Sequence, residues 1–155
     1  MENLLNQTEY QIAEVELIYK PKVKASERPS IKSSKDAATL LQKNWDDNKI
    51  DFIEQFKVIL LNRANKVLGI LQASSGGVTG TLVDAKLVFV SALKANACGI
   101  IISHNHPSGN LKPSPQDEQL TIKLNNGAKL LDIKLLDHLI ITSEGYLSFA
   151  DEGLL

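Results

Sequence analysis

The chain has 155 residues, 43% hydrophobic and 23% charged, with a formal net charge of −1. That is enough for one domain with a sizeable core, without the basic excess that non-specific nucleic-acid binding requires. A lone cysteine excludes an internal disulfide and suits a reducing, cytoplasmic setting, and the longest apolar runs fall far short of a membrane span.

The first ten residues, MENLLNQTEY, form a polar leader without the basic and apolar regions of a signal peptide. Val15, Leu17 and Tyr19 then alternate with Glu14, Glu16, Ile18 and Lys20, which predicts an edge strand with one dry face. From Lys20 to Lys35 the chain is rich in Lys, Pro and Ser, and Pro21 and Pro29 prevent a helix. No aromatic residues interleave these charges to stack on bases, so the segment reads as a solvated basic connection rather than a nucleic-acid arm. Ser33 or Ser34 caps a helix running to about Trp45, with Ala37, Leu40, Leu41 and Trp45 on one stripe.

Asp51 to Glu54 leads into an apolar strand, Phe56–Leu61, whose return strand spans Val67 to Ala73 after a polar turn. The Ser74–Gly77 loop is either a plain connector or a place where a substrate backbone can approach. Asp84 starts a helix that is apolar on most faces and is therefore expected to be buried. Cys98 follows it and reads as a small buried hydrophobe.

Gly99 to Ile102 has the composition of a strand covered on both faces, and His104 and His106 follow at alternating positions. Residues i and i+2 of an extended chain share a side, so both imidazoles can address one ion. Pro107, Gly109 and Pro113 break regular structure, and Ser114-Pro115-Gln116-Asp117 opens a helix with a cap, a first-turn proline and an acid at its third position. Two neutral imidazoles and a carboxylate, with the fourth position left to water, form a catalytic zinc arrangement. Taken singly, Ser114 and Asp117 are also a capping box and a histidine at a strand end is an ordinary structural residue. The joint spacing favours the metal.

The helix runs to about Leu130 with Leu120, Leu124, Ala128 and Leu131 toward the core. Strands follow at 133–142 and 146–149 around the turn Ser143-Glu144-Gly145. His138, isolated in an apolar strand, reads as a hydrogen-bonded core residue that at most supports the ligands, and its neighbour Asp137 does not displace them. Strands alternating with helices on a small mixed sheet make an α/β three-layer domain. A hydrolytic metal centre also needs a general base, and on the residues alone Glu54, Glu118 and Glu144 remain open.

The spacing H-x-H-x7-S-x2-D with its HNHPSG core resembles the JAMM (MPN+, JAB) metalloprotease signature, and HNHPSG with PS-x-x-D resembles the RadC family more narrowly. The similarity runs from about Ile31 to Leu155 and includes EQFKVILLN, ALKANA, LLDHLIIT and FADEGLL. It implies a RadC-like domain over 31–155, preceded by the N-terminal strand and basic connection of 1–30, with a cytidine-deaminase-like α/β/α fold. It further implies one zinc ion on His104, His106 and Asp117, Glu54 as general base, and Ser114 as a hydroxyl that steadies an oxyanion while also capping its helix at other moments. The expected activity is zinc-dependent hydrolysis of an amide, peptide or isopeptide, in a peptide or protein substrate. The alternative is a non-catalytic accessory or binding module in DNA repair or mobile-element metabolism. Many RadC-like proteins carry an N-terminal helix-hairpin-helix module; this sequence is expected to be a short form without one, which weakens the DNA-repair reading.

Overall fold

Five strands build one mixed sheet, and the computed structural model describes it within residues 12–16, 18–76 and 83–155. They are β1 (Gln55–Leu61), β2 (Val67–Ser75), β3 (Gly99–Asn105), β4 (Lys134–Ile141) and β5 (Tyr146–Ser148), in spatial order β2-β1-β3-β4-β5. Only β3 and β4 are parallel; the other pairs are antiparallel. Every residue of β1 and β3 is buried, as their nearly continuous apolar composition requires of strands covered on both faces.

Three helices supply the cover. On one face, α2 (Ala85–Lys94) and α3 (Pro115–Leu130) pack over Phe56, Val58, Ile100 and Ile102. On the other, α1 (Ser34–Asn44) packs Ala37, Ala38 and Leu41 over Ile59, Leu61, Ile101 and Leu139. The result is the three-layer α/β architecture expected. The caps behave as read: Ser33 and Asp84 accept from backbone N–H groups in the first turns of α1 and α2. Long α3 is the crossover that a parallel β3–β4 pair demands.

Five expectations need correction. The described residues between 12 and 20 form no strand; Leu17 and the leader 1–10 lie outside the described residues. Alternation makes a strand only where a neighbouring edge supplies a ladder. Here Val15 is 88% exposed, and Tyr19 reaches the sheet through one hydroxyl bond to the Leu68 carbonyl. Helix α2 is amphipathic, not buried: Val88 and Ala92 face the sheet, while Leu87, Val90 and Leu93 are exposed. One packed face can cover only one stripe of a helix. Cys98 is exposed, because its backbone pairs with Leu61 and Lys134 while its side chain turns outward. Leu131 is also exposed, at the end of α3 just before Asp132 turns the chain with a φ of 56°. Finally, β2 runs two residues past Ala73, and Gly76 donates its N–H to the Glu54 carbonyl; Gly77 lies outside the described residues. Among the described residues no helix is long and apolar enough to cross a membrane.

Candidate metal centre

The end of β3 and the start of α3 meet at one point. His104 is the penultimate residue of β3 and His106 follows the strand, held in line by its N–H to the Ile141 carbonyl (3.0 Å). Asp117 sits three residues after Ser114, the N-cap of α3. One ligand atom from each of His104, His106 and Asp117 lies within 4.8 Å of the others. His104 Nε2 is 3.2 Å from one Asp117 oxygen and His106 Nε2 is 3.4 Å from the other. The two Nε2 atoms are 2.9 Å apart.

Local bonds aim these groups. Ser114 and Asp117 form a reciprocal capping box: Asp117 Oδ2 accepts the Ser114 N–H (2.8 Å) and Ser114 Oγ accepts the Asp117 N–H (3.1 Å). The bond that starts the helix therefore also orients the carboxylate. His106 donates Nδ1–H to the Asn110 carbonyl (2.6 Å), which leaves Nε2 for a ligand. That carbonyl is presented by a loop turning at Gly109 (φ 80°), whose N–H bonds back to His106 O.

The electrostatics follow from the crowding. Burial alone would raise the Asp117 carboxyl, but His104, His106 and the Ser114 N–H outweigh it and hold it far below the carboxylate range. Contact with Asp117 raises the His106 imidazole despite burial, helped by Asn110 and weakly by Glu54. His138 goes the other way: complete burial, then the neighbouring His104, press its imidazole well below the usual value, so it is neutral. Two nitrogens and a carboxylate converging on one point, with His106's other nitrogen tied to a carbonyl, fit a metal ion.

Glu54 immediately precedes β1. Phe56 pairs with His104, and carrying that antiparallel register outward sets Glu54 opposite His106. Glu54, His106 and Ser114 line one open groove of about 660 Å³, together with Phe52, Asn110 and Lys112. Glu118 and Glu144, the other open choices for a base, are exposed and do not line it.

Sequence reading missed two residues here, while a third, His138, is the hydrogen-bonded core residue it expected. Asn105 is fully buried and points to the face opposite His104. Its amide donates to the Ile50 and Ile53 carbonyls (2.7 and 2.8 Å), and its oxygen accepts the Gln55 N–H (2.7 Å). It thus grips the backbone on both sides of Glu54. The available signal was its polarity at a position of β3 whose parity buries it. Thr121, one helical turn after Asp117, bonds to the Asp117 carbonyl (2.7 Å) and touches His138 Nδ1 (2.6 Å). His138 itself is 2.8 Å from His104 Nδ1.

A family model described as a RadC-like JAB domain matches residues 31–154. The chain is 48% identical over 124 residues to a UPF0758 protein of Flavobacterium johnsoniae, covering 80% of this chain and 53% of that protein. It is 48% identical over 103 residues to a UPF0758 protein of Porphyromonas gingivalis, covering 66% and 45% respectively. A third UPF0758 protein, from Desulfitobacterium hafniense, is 38% identical over 128 residues, 83% of this chain and 55% of its own. The chain therefore spans about half the length of the curated relatives it matches.

Proposed function

The chain belongs to the RadC family, and from that premise we propose that it is a zinc-dependent hydrolase of the JAMM type that cleaves an amide, peptide or isopeptide, in a protein or peptide substrate. The observation that carries the reading is the convergence of His104, His106 and Asp117 beside a groove that Glu54 and Ser114 also line. Nitrogen and carboxylate donors suit zinc among the divalent metals. Bound there, zinc would supply Lewis acidity toward the scissile carbonyl and toward a water.

The chain's own residues do the rest. Glu54, half-buried at the groove, takes the proton of the attacking water and returns it to the leaving amine. Ser114 serves the oxyanion without giving up its cap. The cap uses an oxygen lone pair to accept the Asp117 N–H, which leaves the hydroxyl proton free to donate to the developing charge. Phe52 offers an apolar wall and Lys112 a cation along the groove, contacts suited to an extended peptide.

Glu54→Gln tests the reading, because it keeps the side-chain shape and removes the base. Zinc content and fold are expected to stay intact while turnover of a cleaved peptide or isopeptide falls roughly two to four orders of magnitude. Wild-type turnover in Glu54→Gln, for an activity abolished by His104→Ala, would remove Glu54 from the mechanism. Zinc-loaded protein that cleaves none of a broad peptide and isopeptide panel would favour a binding module instead.

A further inference from the structure

His138 and Thr121 lie behind the centre, and their contacts form one chain: Asp117 carbonyl, Thr121 hydroxyl, His138 ring, His104 ring. The distances are 2.7, 2.6 and 2.8 Å in that order. Every link is buried or nearly so. The His138 ring is held between Phe149, stacked at 4.4 Å, and Phe56, edge-on at 6.2 Å, so it cannot swing to other partners.

A bulge puts the ring there. Ile100 pairs with Leu135, but Ile102 pairs with His138, so β4 spends three residues where β3 spends two. Leu136 is the extra residue. In strict alternation His138 would share the face of Leu136, away from His104; the bulge turns it onto the face of Ile102 and His104.

The direction of the chain follows from counting protons. A carbonyl has none to give, so at 2.7 Å the Thr121 hydroxyl must donate to the Asp117 oxygen. Its oxygen can then only accept from His138, which places a proton on Nδ1; the fully buried ring, packed between two phenyl rings with only a hydroxyl and an imidazole as side-chain partners, has no acid to hold a second one. His138 Nε2 is left with a lone pair and accepts Nδ1–H from His104. His104 Nε2 consequently faces Asp117 and His106 with a lone pair available. Reversing the chain would set two lone-pair oxygens against each other at 2.7 Å and put a proton on the nitrogen that the metal needs.

We infer that Thr121 and His138 are positioning residues whose one-way hydrogen-bond chain, anchored on the backbone carbonyl of Asp117, fixes the tautomer in which His104 can ligate a metal. The inference rests on the metal reading above but not on hydrolysis. It also links the two ligands, since the residue giving the carboxylate supplies, through its own carbonyl, the anchor for the imidazole.

Two measurements test it. The chain has three histidines, so long-range 1H–15N correlation of the 155-residue chain, assigned with His104→Ala and His106→Ala, reads each ring directly. His138 should be the neutral Nδ1–H tautomer with or without zinc. Thr121→Val keeps the branched shape but removes the acceptor. It should move the His138 proton to Nε2 and weaken zinc binding, measured against a chromophoric chelator, by roughly 10- to 100-fold. Thr121→Ser should restore both tautomer and affinity. An Nε2–H His138 in the wild type overturns the inference, as does a folded Thr121→Val with unchanged zinc affinity. If Thr121→Val does not fold, the wild-type tautomer and the serine variant decide. If the wild type binds no zinc, the metal reading fails, and the tautomer of His138 still decides the direction of the chain.

Discussion

Asn105 lies between the two histidines in sequence and faces away from them, yet it governs the far wall of the site. Its three bonds satisfy backbone groups on both sides of Glu54. Removing it would leave two carbonyls and one N–H buried, at about 1–3 kcal/mol for each group left unpaired. Asn105→Ala is therefore expected to lower unfolding stability by roughly 3 kcal/mol in denaturant titration and, under the proposed hydrolysis, to lower kcat more than zinc content because Glu54 loses its seat. Stability within about 0.5 kcal/mol of wild type, the range of an ordinary surface change, would show that the grip is dispensable. Titration at the centre gives a second expectation at this scale. Asp117 is depressed, so its contribution to stability is present above about pH 4 and is lost as pH falls toward its folded value. His106 is raised, so its contribution is full below about pH 6.5 and is lost as pH rises through its folded value. Chelator-treated protein thus has both only between about pH 4 and 6.5, and its melting temperature should decline from pH 6 to 8.5. Zinc requires neutral imidazoles, so its stabilisation should grow over the same interval and be lost in His104→Ala. A zinc-induced rise equal at pH 5 and pH 8 would contradict this assignment.

Among the elements, α3 carries the most constraints. Its first turn holds the capping box, Asp117 and, one turn on, Thr121, while its later turns bury Leu124 and Ala128. Near its C-terminal end it passes close to α2. A Cβ on Gly127 would lie 2.7 and 2.9 Å from ring atoms of Phe89. Alanine there would gain about 1 kcal/mol of helix propensity but force a rigid aromatic ring aside, at about 1–3 kcal/mol. Gly127→Ala is expected to be net destabilising, with a fall of about 2–4 °C in Tm; an unchanged or raised Tm would mean that Phe89 relaxes freely. The bulge in β4 is the other element-scale device. It costs one residue of regular ladder at Leu136 and brings His138 to the ligand side of the sheet.

Across the whole molecule, the candidate metal ligands come from one strand end and one helix start, while Glu54 comes from just before β1, beside the Gln55–Asn105 bond that spans 50 residues of chain. The order of strands and helices, the three layers and the grouping of His104, His106 and Asp117 were legible in the sequence. Each rests on a local rule: strand parity sets both imidazoles on one side, and a capping box sets the carboxylate at the helix mouth. The position of Glu54 beside His106, unlike that of Glu118 and Glu144, was not legible in its own residues, because antiparallel pairing of β1 with β3 is what brings it there. Nor were the exposed faces of α2 and Cys98, the missing edge strand near Val15, the roles of Asn105 and Thr121, or the partners of His138. Those depend on which surfaces another element covers, on one extra residue in β4, and on which of two partners has a proton to give. Sequence by itself determined the groups with local geometry; only the tertiary structure decided the groups whose chemistry is set by a distant neighbour.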